Sequence, residues 1–102
     1  MPDLVGGNQI ARGTKQYLLI EVTDVAAQIT DLSTHSPKYT VKDSTLTDTM
    51  YNLVSGLAVD MTLYCLVDTT VGTWAFSHYL LWGQFTISPE IPLIGPFDFY
   101  LI

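Results

Sequence analysis

The sequence predicts a mainly β protein, built as one antiparallel β-sandwich with room for one short helix. Several segments alternate apolar and polar side chains with a period of two, which is typical of half-buried strands. Glycine and proline punctuate the chain between these segments. The 102 residues, 48% of them hydrophobic, suffice for a single domain with one core.

Residues 1–15 are predicted to form an extended arm, and residues 16–102 the sandwich domain. Three glycines interrupt the arm, and such a segment is loose unless it lies against something. Two placements are open. The arm folds back onto its own domain, or it docks on an adjacent subunit. Its apolar anchors are Leu4, Val5 and Ile10.

The first strand is predicted over residues 17–22, which are dense in leucine, isoleucine and valine. Residues 24–32 fit either a capped helix or a kinked strand. A short strand follows over residues 38–42, with Tyr39 and Val41 on one face.

Residues 43–57 leave two structures open. Their apolar residues recur at helical spacing, which favours a helix. Three threonines alternate with other residues in the same segment, and threonine prefers strands because its side chain branches at Cβ.

The clearest strands lie in the second half of the chain. Residues 59–68 alternate apolar and polar side chains, and residues 73–82 alternate again after a turn. Together they predict an antiparallel β-hairpin. Gly83 interrupts the second strand and predicts a bulge.

The last strand is predicted over residues 97–102, after a segment rich in proline. Its apolar residues occupy both alternating sets, so one face should pack on the core and the other on a neighbour or on the arm. The predicted interface residues are Leu4, Val5, Ile10, Phe97, Phe99, Tyr100, Leu101 and Ile102.

Charge is distributed unevenly along the chain. No lysine or arginine follows Lys42, although about seven basic side chains are usual in 60 residues. Lysine commonly keeps surfaces hydrated and edge strands unpaired, so its absence indicates a surface covered by neighbours. The net charge of −6 argues against binding to nucleic acid or to an anionic membrane surface.

The N-terminal residues lack the basic and apolar regions of a signal peptide. The longest uncharged stretch, residues 69–89, contains too many polar side chains for a transmembrane helix. These features predict a protein made in the cytoplasm.

No motif supports catalysis, and an enzyme is not expected. The single cysteine, Cys65, lies in an apolar run and is predicted to be buried and inert. His78 is predicted to be a hydrogen-bonded histidine of the core or an interface. No metal or cofactor is expected. Two pairs of acidic residues could meet at one end of a sandwich, but we interpret them as solvated loop residues. Those pairs are Asp43 with Asp48 and Asp60 with Asp68.

Residues 51–67 resemble the later strands of fibronectin type III domains. The matching motifs are Gly56-Leu57 and Thr62-Leu63-Tyr64. The resemblance implies an immunoglobulin-like or fibronectin type III-like sandwich, in which Leu57 and Tyr64 build a corner that pins one end.

The small size, the missing basic residues, the glycine-containing arm and the apolar last strand together resemble a small bacteriophage virion structural protein. The resemblance does not distinguish a capsid cement or decoration subunit from a tail component. The resemblance implies a virion location and contacts with copies of the chain itself or with other virion proteins. The alternative is a fibronectin type III-like module that binds carbohydrate or a cell-surface partner through Trp74, Tyr79 and Trp82.

Overall fold

The computed structural model describes residues 3–22, 31–86 and 91–102. These residues form nine β-strands and one turn of 3-10 helix at Leu32–Thr34. The strands are β1 (Asp3–Val5), β2 (Gln9–Ile10), β3 (Lys15–Glu21), β4 (Lys38–Asp43), β5 (Thr49–Ser55), β6 (Leu57–Val59), β7 (Thr62–Asp68), β8 (His78–Gln84) and β9 (Leu93–Leu101).

The strands form two sheets that pack as a sandwich, which confirms the predicted fold class. The four-stranded sheet has the order β1-β3-β7-β6, and the five-stranded sheet has the order β2-β9-β8-β4-β5. Neighbouring described strands are antiparallel except β2 and β9, which run parallel. The alternating inward side chains of both sheets make the core between them.

The N-terminal segment is part of the sandwich. β1 pairs with β3 in one sheet and β2 pairs with β9 in the other, so the arm folds back onto its own domain. Its crossing to β3 is held by Thr69, whose hydroxyl oxygen accepts hydrogen bonds from the N–H groups of Gly13 (2.9 Å) and Thr14 (3.1 Å). Residues 3–5 and 9–10 of the predicted arm are thus strands of the two sheets.

The opposite flank of the sandwich is closed in the same way. The chain passes from β5 in one sheet to β6 in the other through Gly56 alone. A Cβ atom at Gly56 would lie 2.8 Å from Leu63 Cδ1 and 3.3 Å from the Tyr64 carbonyl oxygen. Because a Cβ atom would require the Leu63 side chain to shift and would sit close to the Tyr64 carbonyl oxygen, this crossing favours glycine.

The predicted hairpin between residues 59–68 and 73–82 is wrong. β7 pairs with β3 and β6, whereas β8 pairs with β4 and β9 in the other sheet. The segment between them crosses the sandwich and buries Trp74. A period of two shows that each strand is half-buried, but it does not show which strands pair.

The inward side of β8 is formed by its odd-numbered residues. Tyr79 and Leu81 are buried in the core, while Leu80 and Trp82 are half-buried on the outer side. The pairing of β8 with β9 shifts register between Leu81 and Gly83, which confirms the predicted bulge.

The two ambiguous segments are resolved in part. Residues 49–55 form strand β5, as the strand alternative for residues 43–57 predicted. Of the segment 24–32, only Asp31 and Leu32 lie within the described residues. Asp31 caps the 3-10 turn and Leu32 is its first residue. The tyrosine corner implied for Leu57 and Tyr64 is not formed, because the two face each other across β6 and β7 and Leu57 is 63% exposed.

Two tyrosine hydroxyls of the five-stranded sheet bond the backbone of β7. β6 pairs only with residues 62–64 of β7. Residues 65–68 of β7 therefore lie beyond the end of β6 on that side of the strand. The Tyr39 hydroxyl donates to the Leu66 carbonyl at 2.6 Å, and the Asp68 N–H donates to the Tyr51 hydroxyl at 3.0 Å. Both bonds join one sheet to the other and satisfy backbone groups that a longer β6 would otherwise pair.

The same tyrosines begin a row of aromatic rings through the core. The ring centroids are 5.7 Å apart for Tyr39 and Tyr51, 5.9 Å for Tyr51 and Trp74, and 5.0 Å for Trp74 and Tyr79. Phe99 continues the row at 5.7 Å from Tyr79. Edge-to-face and offset pairs of this kind each add about 0.5–1.5 kcal/mol beyond the burial of their area.

Replacing Tyr39 with phenylalanine should lower the free energy of unfolding by about 1–3 kcal/mol, because the Leu66 carbonyl loses its donor while the ring remains packed. Urea titration followed by tryptophan fluorescence measures this change. Tyr100→Phe is the matched control, since that ring lies at the surface, and it should unfold like the unmodified chain. Equal midpoints for Tyr39→Phe and the control would contradict the role given to this hydroxyl.

The stability should also fall in alkaline solution. Burial raises the pKa of Tyr39 to about 12, whereas an unfolded tyrosine ionises near pH 10. The unfolded chain therefore releases this proton first, and the free energy of unfolding should decline between about pH 10 and pH 12. The decline should be shallower in Tyr39→Phe.

Candidate protein-interaction surface

The outward side of the four-stranded sheet carries a row of apolar side chains that crosses every strand. Val5 on β1 lies opposite Leu19 on β3, Leu19 lies opposite Tyr64 on β7, and Tyr64 lies opposite Leu57 on β6. Directly opposed residues of an antiparallel pair point to the same side of a sheet. The neighbouring inward residues Ile20 and Leu63 are buried, so this row faces away from the core.

A second apolar row lies beside the first. Tyr17 on β3 lies opposite Leu66 on β7, and the Tyr17 and Tyr64 rings meet edge to face with centroids 6.0 Å apart. Tyr17 is 46% exposed. We call the surface formed by both rows the apolar face. It comprises Val5, Tyr17, Leu19, Leu57, Tyr64 and Leu66.

Charged residues lie at the two ends of the apolar face. Lys15 and Glu21 are the first and last residues of β3, and both side chains are exposed. On β7, Asp68 lies opposite Lys15. Hydrogen bonds from the Thr70 hydroxyl and N–H lower the pKa of Asp68, and the Lys15 ammonium lowers it further. Charge is therefore confined to the rims of the face, and its centre is uncharged.

The outer face of the five-stranded sheet is different. Its central row runs from Lys42 on β4 to Leu80 on β8 and Asp98 on β9, so charges of both signs lie beside the leucine. Alternating charges keep such a surface hydrated. This contrast makes the apolar face the stronger candidate for contact with another protein.

The sheet edges are weaker candidates. β5 is an edge strand with an uncharged sequence, and edges of this kind pair readily with other chains. Its pairing with β4 changes register between Tyr39 and Val41, and Leu53 has a φ of 52°. This bulge bends the edge away from regular pairing. β6 is three residues long, and a short edge offers few free backbone groups.

Three of the predicted interface residues are part of the chain's own core. Ile10, Phe99 and Leu101 are buried within this chain and pack between its two sheets. The period of two places Phe99 and Leu101 on the inward side of β9. Leu4 and Phe97 are half-buried against the same core and line an open cleft of about 440 Å³.

The other predicted interface residues do not share one surface. Val5 belongs to the apolar face, whereas Tyr100 and Ile102 are exposed at the end of β9 in the other sheet. The Tyr100 ring stacks on His78 with centroids 4.7 Å apart, and His78 Nε2 lies 2.7 Å from Asp98 Oδ1. His78 is thus a hydrogen-bonded histidine, as predicted, at the surface rather than in the core.

Sequence reasoning missed most of the apolar face. Tyr64 and Leu66 occupy the same alternating set of β7 as the polar residues Thr62 and Asp68. The sequence signal for these two residues is that two outward positions of β7 carry large apolar side chains. Tyr17 and Leu19 carry the same signal in β3, where apolar residues fill consecutive positions on both sides.

Candidate catalytic groups are not brought together. Cys65 is buried on β7, in the sheet opposite His78 on β8. Burial raises the pKa of the Cys65 thiol, so the reactive thiolate is suppressed. His35 Nδ1 lies 3.0 Å from the Thr86 carbonyl oxygen, a contact to the backbone.

The acidic residues that the structure describes show no arrangement for a metal. In the part of the chain that the structure describes, no three His, Cys, Asp or Glu side chains are grouped to hold an ion. Asp60 and Asp68 flank opposite ends of β7. Asp43 is buried, and its carboxylate accepts hydrogen bonds from the Thr47 N–H at 2.7 Å and the Thr45 hydroxyl at 2.9 Å. Burial alone would raise the pKa of Asp43, but these bonds outweigh it and lower the pKa.

The aromatic platform of the carbohydrate alternative is not formed. Trp74 and Tyr79 are buried in the core, in contact with each other, and only Trp82 of the three faces outward. Among residues 3–22, 31–86 and 91–102, no helix is long and apolar enough to cross a bilayer. The chain matches no protein-family model, no curated protein sequence and no solved structure.

Cys65 should react slowly with a thiol reagent at pH 7, because its side chain is buried and its pKa is raised. Labelling with a maleimide or an aromatic disulfide should become fast only when denaturant unfolds the domain. A free cysteine peptide measured in parallel gives the rate for an accessible thiol. Stoichiometric labelling of the folded chain at that rate would show that Cys65 is accessible.

Proposed function

We propose that this protein is a structural subunit of a larger assembly and acts through protein–protein contacts. The observation that carries the proposal is the apolar face. Large exposed apolar patches are uncommon on monomeric proteins and mark contact sites where they occur. Here six large apolar side chains lie together on the outward side of one sheet, and charge is confined to its rims.

We propose more specifically that the assembly is a virion, with the protein as a capsid cement or decoration subunit or a tail component. Small size and the absence of basic residues after Lys42 support this. The buried core leaves the chain compact without disulfides, since its single cysteine is free. The expected partners are other copies of the chain and other virion proteins.

We also propose that the sandwich is of the immunoglobulin type. The sheet orders β1-β3-β7-β6 and β9-β8-β4 have the sequence of connections found in the ABED and GFC sheets of that fold. Tyr79 lies near the start of β8, and its hydroxyl accepts a hydrogen bond from the Phe76 N–H at 3.1 Å. A tyrosine at this corner that bonds the backbone just upstream is a feature of immunoglobulin-like sandwiches.

Sedimentation velocity at micromolar concentration should show species larger than the 11.3 kDa chain. Because the contact is apolar, raising the salt concentration should not dissociate them. Leu19→Lys should shift the distribution to monomer, since it places a charge at the centre of the apolar face.

Leu80→Lys is the matched control. Leu80 is also a half-buried leucine on the outer side of a central strand, but in the five-stranded sheet. This variant should associate like the unmodified chain. A chain that stays monomeric at high concentration, alone and with its candidate virion partners, would contradict the proposed function.

A further inference from the structure

We propose that the apolar face binds the apolar face of a second copy of this chain, with the two β3 strands antiparallel about a two-fold axis. This inference rests on the proposed function and names the partner of that surface. Three features of the described residues support it: the composition of the face, the charges at its ends and its size.

The composition makes the face self-complementary. A two-fold contact brings the same patch of two subunits together, so the patch must be complementary to itself, with each residue contacting its symmetry-related partner residue in both directions. The apolar face offers leucine, valine and tyrosine side chains at every central position. The leucine and valine side chains can pack on one another without burying a polar atom, and the Tyr17 and Tyr64 hydroxyls need water or an acceptor at the edge of the contact.

The charges at the ends select the antiparallel arrangement. The outward side of β3 presents Lys15, Tyr17, Leu19 and Glu21 in order, with opposite charges at its two ends. When the two β3 strands are antiparallel, Lys15 of each copy lies opposite Glu21 of the other. Packed sheets are about 10 Å apart, a gap that a lysine and a glutamate side chain can span together.

The parallel arrangement is disfavoured. It would place Lys15 against Lys15 and Glu21 against Glu21. Like charges that face each other across an interface repel and so disfavour that arrangement. Asp68 lies beside Lys15 on the same outward side, so in the antiparallel arrangement it also lies near Glu21 of the other copy and offsets part of the Lys15–Glu21 attraction. The directly opposed Lys15–Glu21 pairs are closer than this diagonal contact, so the antiparallel arrangement remains the better one.

The size of the face fits a dimer at the weak end of the specific range. The 20 residues of the four strands, about 4.8 Å apart across the sheet and about 3.3 Å apart along each strand, give about 320 Å² of flat sheet per copy. Two copies then cover about 630 Å² of flat sheet, and the side chains that project from it add to this. Specific interfaces begin at about 1,000 Å², so the dimer should form at micromolar rather than nanomolar concentration.

Charge reversal tests the arrangement by sedimentation equilibrium at low salt. Lys15→Glu and Glu21→Lys should each weaken the dimer by about tenfold, because by symmetry each change creates two like-charged pairs. The double variant should restore the affinity. An equimolar mixture of the two single variants should also restore it, since every pair in the mixed dimer is again of opposite charge.

Lys42→Glu is the matched control, because Lys42 lies on the outer side of the five-stranded sheet. It should leave the dimer unchanged. Thermal unfolding of each variant checks the fold, which matters for Lys15→Glu because its new carboxylate lies beside Asp68.

The outcomes separate this inference from the proposed function. If neither single reversal weakens association, the antiparallel dimer is overturned. It is also overturned if neither the double variant nor the mixture restores the affinity. Both results leave an assembly role intact. A chain that is monomeric in every form, including the unmodified one, but that joins a heterologous assembly overturns the dimer only. A chain that joins no assembly at all overturns both.

Discussion

The hydroxyl groups of Tyr39 and Tyr51 complete the backbone hydrogen bonding of β7, and the packing of the two sheets depends on these bonds. β6 pairs with only three residues of β7. The tyrosines reach across from the five-stranded sheet and bond Leu66 and Asp68, which β6 does not cover. Their rings also begin the aromatic row that fills the core. One pair of side chains thus links the two sheets and supplies hydrogen bonds to the part of β7 beyond β6.

Because the flanks are closed from within, the surface of the sandwich is dominated by its two outer faces. The chain crosses between the sheets on one flank at residues 11–14, held by Thr69, and on the other at Gly56. The five-stranded sheet carries lysine and aspartate beside its outward leucine. The apolar face of the other sheet has charge only at its rims. This difference in charge is the reason that we propose the apolar face, and not the other outer face, as the contact surface.

Much of the fold follows from the period-two patterns, and much of the candidate surface does not. Alternation identified the inward set of β7, which includes Cys65, because burial of every second residue leaves a local signal. Pairing is not a local property, so the sequence did not show that β7 and β8 lie in different sheets. The apolar face was missed for the same reason. Val5, Leu19 and Tyr64 are far apart in the chain, and only the register of three strands brings them together.

Hydroxyl-radical footprinting across a concentration series tests most directly whether the apolar face is the contact surface. Radicals modify exposed aromatic rings, and mass spectrometry locates the modification on each side chain. Modification of Tyr17 and Tyr64 should fall as the chain associates, while Trp82 and Tyr100, on the five-stranded sheet, should be modified equally at all concentrations. Protection of Trp82 and Tyr100 with unchanged modification of Tyr17 and Tyr64 would contradict this account.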